Sequence, residues 1–253
     1  MKRVIARLDI KGNRLIKGVH LEGWRFLTGD PNDFCQKYYL DGADEILYVD
    51  AVASLYNRDS LKDIIRKTTE NVFVPLTVGG GIRTIEDVTE ILRSGADKVA
   101  ICTQAVKTPE IISKVADKFG SQCMVVSIQA KKDQNGNYKI WYDVAREKTE
   151  INVVEFAIKV EELGAGEILL TSVDQEGTGK GMDAELIKMV TEATKIPVIA
   201  CGGFAQPSDF KVAIDGGADA VAIAKALHYQ QTNILAIKEY AESVGIKIRQ
   251  DEN

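Results

Sequence analysis

The stretch VPLTVGGGIRTIEDVTEILRSGADKVAICTQAV (74–106) returns in altered form as IPVIACGGFAQPSDFKVAIDGGADAVAIAKAL (196–227). Gly80-Gly81 faces Gly202-Gly203, and Gly95-Ala96-Asp97 faces Gly217-Ala218-Asp219, both offset by 122 positions (202 less 80, 217 less 95). The offset holds upstream, where Gly42-Ala43-Asp44-Glu45 answers Gly164-Ala165-Gly166-Glu167. One unit of about 120 residues is written twice, so the fold must itself repeat.

Within each unit, β-prone runs alternate with amphipathic helical patterns; in the first half the runs are Val4–Leu8, Ile46–Val49, Pro75–Val78 and Lys98–Ile101. That alternation specifies a parallel sheet covered by helices. Four strand–helix pairs per half and 253 residues in all predict an α/β fold, a closed (β/α)8 TIM barrel. It is read as a single domain, 1–253, made of two duplicated half-barrels, about 1–122 and 123–253. An open doubly wound sheet is the rival, and its strand order does not naturally split into equal halves.

Composition serves to exclude. A net charge of −5 with no basic block sets nucleic acid aside as a partner. No apolar run is long enough for a bilayer, and the strand pattern begins by Val4, leaving no room for a signal peptide. Cys35, Cys102, Cys123 and Cys201 lack CxxC spacing, and two histidines are too few for a familiar zinc cluster. A cytoplasmic protein with reduced thiols, no membrane partner, no metal and no cofactor is therefore expected.

The first strand, Arg3–Asp9, places Arg3, Ile5, Arg7 and Asp9 on one face by alternation. Barrel enzymes keep their chemistry at the carboxyl ends of strands, where Asp9, Asp50, Thr103, Gln129 and Thr171 fall. The connection Gly12–Asp30 carries Lys17 and Trp24 and is long enough to be a lid or binding loop. Asp30-Pro31 reads as a helix start, and the Asn-Gly pair within Asp133–Tyr142 as a hairpin turn.

Glycine after a strand lets backbone N–H groups approach an anion. Gly202-Gly203, with Gly177 and Lys225 nearby in the pattern, matches the common barrel phosphate site. Gly80-Gly81, with Thr103, would be its counterpart across the mouth, which implies a long ligand phosphorylated at both ends. The plainer alternative is that these glycines only permit tight turns. Between the two sites stand Asp9 and Gln129, and an amide cannot carry a proton as a second acid would.

At the opposite face, Arg3, Glu45, Lys98 and Glu167 each open a strand and point toward the barrel axis. Two bases and two acids make a neutral ring, and the residues alone read it as a plug in the barrel floor. Arg7 should point inward, toward Asp9 or Asp50, unless a bulge in the first strand turns it out to solvent.

RLDIKGNRLIKG, YVDAVAS, PLTVGGGIR, GADKV, FGSQ, GAGEILLTSVDQEGTGKGMD, IACGG and GADA together span nearly the whole chain. With these motifs the sequence resembles the cyclase subunit of imidazole glycerol phosphate synthase. The resemblance implies a glutaminase partner at the barrel floor, ammonia crossing the barrel, and a doubly phosphorylated ribulosyl aminoimidazole-type substrate at the mouth. It gives Asp9 as a catalytic aspartate, Lys17 as the functional lysine of a mobile loop and Asp50 as an acid near the substrate. It also turns the plug of Arg3, Glu45, Lys98 and Glu167 into an ammonia gate.

Departures cluster at the mouth. The family's second catalytic aspartate is Gln129. Family serine and asparagine positions are Ala100 and Cys102, further serines are Cys201 and Lys225, and a small cysteine is Arg7. This mixture resembles the divergent paralogue linked to acetamidino sugars, which implies ammonia supply for N-acetyl-sugar amidination, with a sugar amidotransferase as a further partner and cyclisation impaired. The alternatives are an authentic cyclase (lyase) of histidine biosynthesis and a related sugar-phosphate isomerase. Gln129 weighs against both.

Overall fold

The computed structural model describes residues 1–51 and 59–249; the end of the YVDAVAS motif lies outside the described residues. Eight parallel strands close into a ring: β1 (Arg3–Lys11), β4 (Glu45–Asp50), β5 (Leu76–Gly79), β6 (Lys98–Ile101), β7 (Met124–Lys132), β10 (Glu167–Ser172), β11 (Val198–Cys201) and β12 (Ala220–Ile223). Pairing of β7 with β10 and of β12 with β1 completes the barrel, as the repeat requires. The helices lie outside it: α1 (Pro31–Leu40), α2 (Asp59–Thr69), α3 (Ile85–Arg93), α4 (Thr103–Lys107), α5 (Glu110–Phe119), α6 (Val153–Glu162), α7 (Ala184–Ala193), α8 (Ser208–Asp215), α9 (Lys225–His228) and α10 (Ile234–Ser243). Most of the buried apolar residues sit between this helical layer and the strands.

The recurring Gly-Ala-Asp has a structural cause. Asp44, Asp97 and Asp219 accept the backbone N–H of Val4, Leu76 and Val198 at 2.7, 2.8 and 3.3 Å. Their own N–H groups donate back to the carbonyls of those three residues, each at 2.9 Å. Each aspartate thus ties the foot of one strand to the next and satisfies a donor that has no ladder partner. Gly166, the fourth equivalent, keeps only the backbone bond, to Met124, because a Cβ there would overlap the carbonyl of Ser121.

Period-two alternation sorts the lumen into layers. Arg3, Glu45, Lys98 and Glu167 form the floor; Ile5, Leu47, Val125, Leu169 and Ile199 form an apolar middle; Arg7, Asp9 and Thr171 stand above it. Two additions crown the mouth. The Gly12–Asp30 connection is mostly a hairpin, β2 (Arg14–Val19) and β3 (Glu22–Phe26), paired onto β1. The Asn-Gly hairpin joins β7 to β8 (Tyr138–Tyr142), and a further strand, β9 (Glu147–Asn152), extends it. Asp30 caps α1, with Pro31 at its first turn, as expected.

Candidate functional site

The centre of the mouth is a buried run of alternating charges. Arg7 points inward, and its Nε and a terminal nitrogen each lie 2.9 Å from Asp9 Oδ1. Lys17 reaches Asp9 Oδ2 at 3.1 Å and also pairs with Glu176. The remaining Arg7 nitrogen lies 3.1 Å from Cys201 Sγ and 3.5 Å from Thr171 Oγ1. All four charged residues are at most 4 % exposed, and two cations balance two acids, so no charge is buried alone. Burial by itself would raise the Asp9 carboxyl; Arg7 and Lys17 outweigh it and hold it at about 2. Burial likewise opposes the charge on Lys17, and Glu176 and Asp9 prevail, raising it. Asp9 is thus a permanent anion near neutral pH.

Glu176 was not singled out in the sequence. It lies 159 positions from Lys17, and no spacing signals the pair.

The remaining candidates divide between two spaces of unequal size. A cavity of about 410 Å³ brings together Arg7, Asp9, Asp50, Gly80, Gly81, Thr103, Gln129 and Thr171. Arg83, Lys107, Asp143 and Arg146 border it too and were not foreseen. Gly80 is required by close packing, since a Cβ would overlap the Asp50 carbonyl. Across the mouth, Lys17, Gly177, Gly202, Gly203 and Lys225 surround a recess of only about 10 Å³. A Cβ at Gly203 would overlap the carbonyl of Gly181, and Gly181 N–H donates to the Gly203 carbonyl at 2.9 Å. Tight packing therefore accounts for glycine in this half.

At the floor, Arg3 lies 2.9 Å from Glu45 and 3.1 Å from Glu167, while Lys98 lies 3.0 and 3.3 Å from the same two. Cation and acid alternate around a closed ring. Thr77, unremarked in the sequence, donates to Glu45 at 2.6 Å and fixes its carboxylate.

The model of the histidine biosynthesis protein family matches residues 3–233. Proteins named imidazole glycerol phosphate synthase subunit HisF are similar throughout. That of Legionella pneumophila is 56% identical over 208 residues, 82% of this chain and 98% of its own length. That of Bifidobacterium adolescentis is 43% identical over 252 residues, 98% of each chain. This chain belongs to the HisF family. Among its described residues no helix is long and apolar enough to cross a membrane, and no group of three or more His, Cys, Asp or Glu is placed to hold a metal ion.

Within this HisF-type barrel, Gln129 lies on β7 beside the cavity. Its Oε1 accepts the N–H of Ala145 at 2.7 Å, and Thr103 Oγ1 accepts that of Asp143 at 3.2 Å. The turn so held, Asp143–Ala145, has φ of 53°, 59° and 57° without a glycine, a conformation that L residues adopt only under constraint. Gln129 and Thr103 are thus both occupied with the cavity wall. Opposite, the hairpin closes down. His20 N–H donates to the Glu176 carbonyl at 2.8 Å, and Leu21 packs with Val173 and Ala145.

Proposed function

We propose that this chain is the ammonia-accepting barrel subunit of a glutaminase-dependent synthase of the imidazole glycerol phosphate synthase type. The observation that carries the proposal is the vertical order of the lumen: a ring of Arg3, Glu45, Lys98 and Glu167 at the floor, an apolar layer above it, and Asp9 beside a polar cavity at the mouth. In this reading a glutaminase seats at the floor, ammonia passes the ring as a neutral molecule through the apolar layer, and a phosphorylated small molecule receives it. Lys17 holds the mouth shut over the reaction through Asp9 and Glu176. Asp9, anionic near neutral pH, is suited to orient and accept hydrogen bonds rather than to donate a proton.

Two acceptor reactions fit such a subunit. The names of the relatives support imidazole-forming cyclisation in histidine biosynthesis. Gln129 and Arg7 favour a second, ammonia delivery for amidination of an N-acetyl sugar with cyclisation impaired. Gln129 is bonded to Ala145, and Arg7 is locked onto Asp9. The deciding assay is cyclisation of the histidine-pathway substrate with ammonia salts in excess. Loss of one proton-carrying group is worth a factor of about 10²–10⁴, so the amide at position 129 predicts turnover reduced on that scale. Turnover within about tenfold of an authentic cyclase would establish the histidine reaction. In a second arm with glutamine and a glutaminase subunit, hydrolysis that this chain leaves unstimulated would overturn the ammonia-accepting proposal itself.

A further inference from the structure

We infer that Gln129, with Thr171 beside it, is the hydrogen-bond donor that receives the carbonyl oxygen of the molecule that ammonia attacks. This role rests on the ammonia-accepting reading above and supplies the residue that orients the acceptor.

Only half of Gln129 serves the cavity wall. Its Oε1 accepts the Ala145 N–H at 2.7 Å, and an amide turned the other way would set N–H against N–H. The constrained Asp143–Ala145 turn therefore fixes which end of the amide is which. The Nε2, with two N–H donors, meets no acceptor among the described residues. Nor is it sealed in the interior, as the unpartnered Trp141 Nε1 and His228 Nε2 are. Gln129 borders the cavity of about 410 Å³, so its donors are left for what the cavity holds.

Thr171 extends this donor face. It is the register partner of Gln129 on the adjoining β10, so both side chains point to the same side of the sheet. Its Oγ1 lies 3.5 Å from an Arg7 nitrogen, and a hydroxyl that accepts there keeps its own proton to donate. Acids nearby are committed: Asp9 to Arg7 and Lys17, and Asp143 to Arg146 at 3.1 Å. This wall thus presents donors, and the complementary ligand group is an oxygen acceptor. The apolar layer opens at the same place, since Ala100 and Leu169 belong to that layer and also border the cavity. Leu169 stands two residues before Thr171 on β10.

Ammonia leaving the apolar layer meets a carbonyl held at its oxygen. Its lone pair bonds to the carbonyl carbon, and the C=O π pair moves to the oxygen. A proton then passes from the added nitrogen to that oxygen, giving a carbinolamine. A fixed donor at a developing oxyanion is worth a factor of about 10²–10³ in rate. Gln129 cannot carry the proton that a second acid would, yet it supports the bond-forming step. The carbonyl is that of a ketose in the first acceptor reaction above and that of an acetamido group in the second.

Calorimetry on the intact chain tests this with two matched pairs: ribulose 5-phosphate against ribitol 5-phosphate, and N-acetylglucosamine 6-phosphate against glucose 6-phosphate. We expect the carbonyl member of at least one pair to bind about fivefold tighter or more, and the pair concerned tells which carbonyl is taken. Gln129→Glu keeps an oxygen for Ala145 and turns the other end into an acceptor, so that preference should fall by more than about half near neutral pH. It should return as the pH drops toward the ordinary carboxyl value of about 4.3, where that end regains a proton. A purely structural role would leave the preference unmoved in this variant. A wild-type preference below about fivefold in both pairs, or one that Gln129→Glu leaves at more than about half, would overturn the inference. The wild-type comparison stands whether or not Gln129→Glu folds. Neither ammonia nor a glutaminase takes part, so failure here is distinct from a glutaminase left unstimulated.

Discussion

His228, on α9, is uncharged at a pH where an ordinary histidine has begun to take up protons. Burial pushes its pKa down to about 3, and Lys17 adds to the effect; its Nδ1 lies 2.7 Å from the Tyr38 hydroxyl. The unfolded chain binds this proton near its ordinary value of about 6.5, while the folded chain refuses it down to about 3. Stability is therefore unaffected above about pH 6.5 and falls below it by about 1.4 kcal/mol per pH unit. Urea unfolding should show about 2 kcal/mol lost between pH 6.5 and 5, and His228→Phe should flatten that slope. Equal slopes in the two proteins would contradict the assignment. Asp9 acts in a separate, lower window. Its depressed pKa contributes stability that is complete above about 3.8 and lost as the pH falls toward about 2.

The β2–β3 hairpin turns on His20 and Leu21, whose φ of 54° and 62° would suit Asn-Gly far better. Left-handed conformation costs an L residue about 1–2 kcal/mol, so docking must outweigh it. His20 supplies bonds to the Glu176 and Val173 carbonyls, both at 2.8 Å, and Leu21 is 3 % exposed among Val173 and Ala145. The Asp143–Ala145 turn on the far side is constrained in the same way, so two strained segments hold each other closed over the cavity. Leu21→Ala removes a buried side chain worth about 2–5 kcal/mol, enough to lift the hairpin without unfolding the barrel. Proteolysis within residues 14–26 should accelerate by about tenfold or more while the thermal midpoint of the barrel stays within a few degrees. An unchanged cleavage rate would mean that Leu21 does not latch the hairpin.

Across the molecule, the floor ring and the mouth lie at opposite ends of one lumen. Lys98 bridges Glu45 and Glu167; Lys98→Ala leaves those two acids with Arg3 alone, although Thr77 still holds Glu45. If the ring admits ammonia, the variant in complex with its glutaminase should hydrolyse glutamine while transferring severalfold less nitrogen to the acceptor. Free ammonium salts should restore that transfer, because they reach the mouth from solvent. Coupling equal to the wild type would return the ring to a structural plug.

Periodicity carried most of the architecture. The barrel follows from strand–helix alternation written twice, and the floor ring from one charged residue opening each of four strands, since alternation fixes which way a side chain faces. Each Gly-Ala-Asp repeats because its aspartate ties neighbouring strand feet together, a bond between segments about 20–40 positions apart. The mouth was legible only as a set of candidates. That Glu176 captures Lys17 and that Gln129 holds Ala145 are pairings between separate elements; Gln129 and Ala145 stand 16 positions apart, Lys17 and Glu176 159. No period encodes them, because each depends on where a loop lands once the ring has closed. The two glycine pairs show the division most clearly. The sequence by itself determined two equivalent turns, and only tertiary packing decided that one borders an open cavity while the other is filled by its own neighbours.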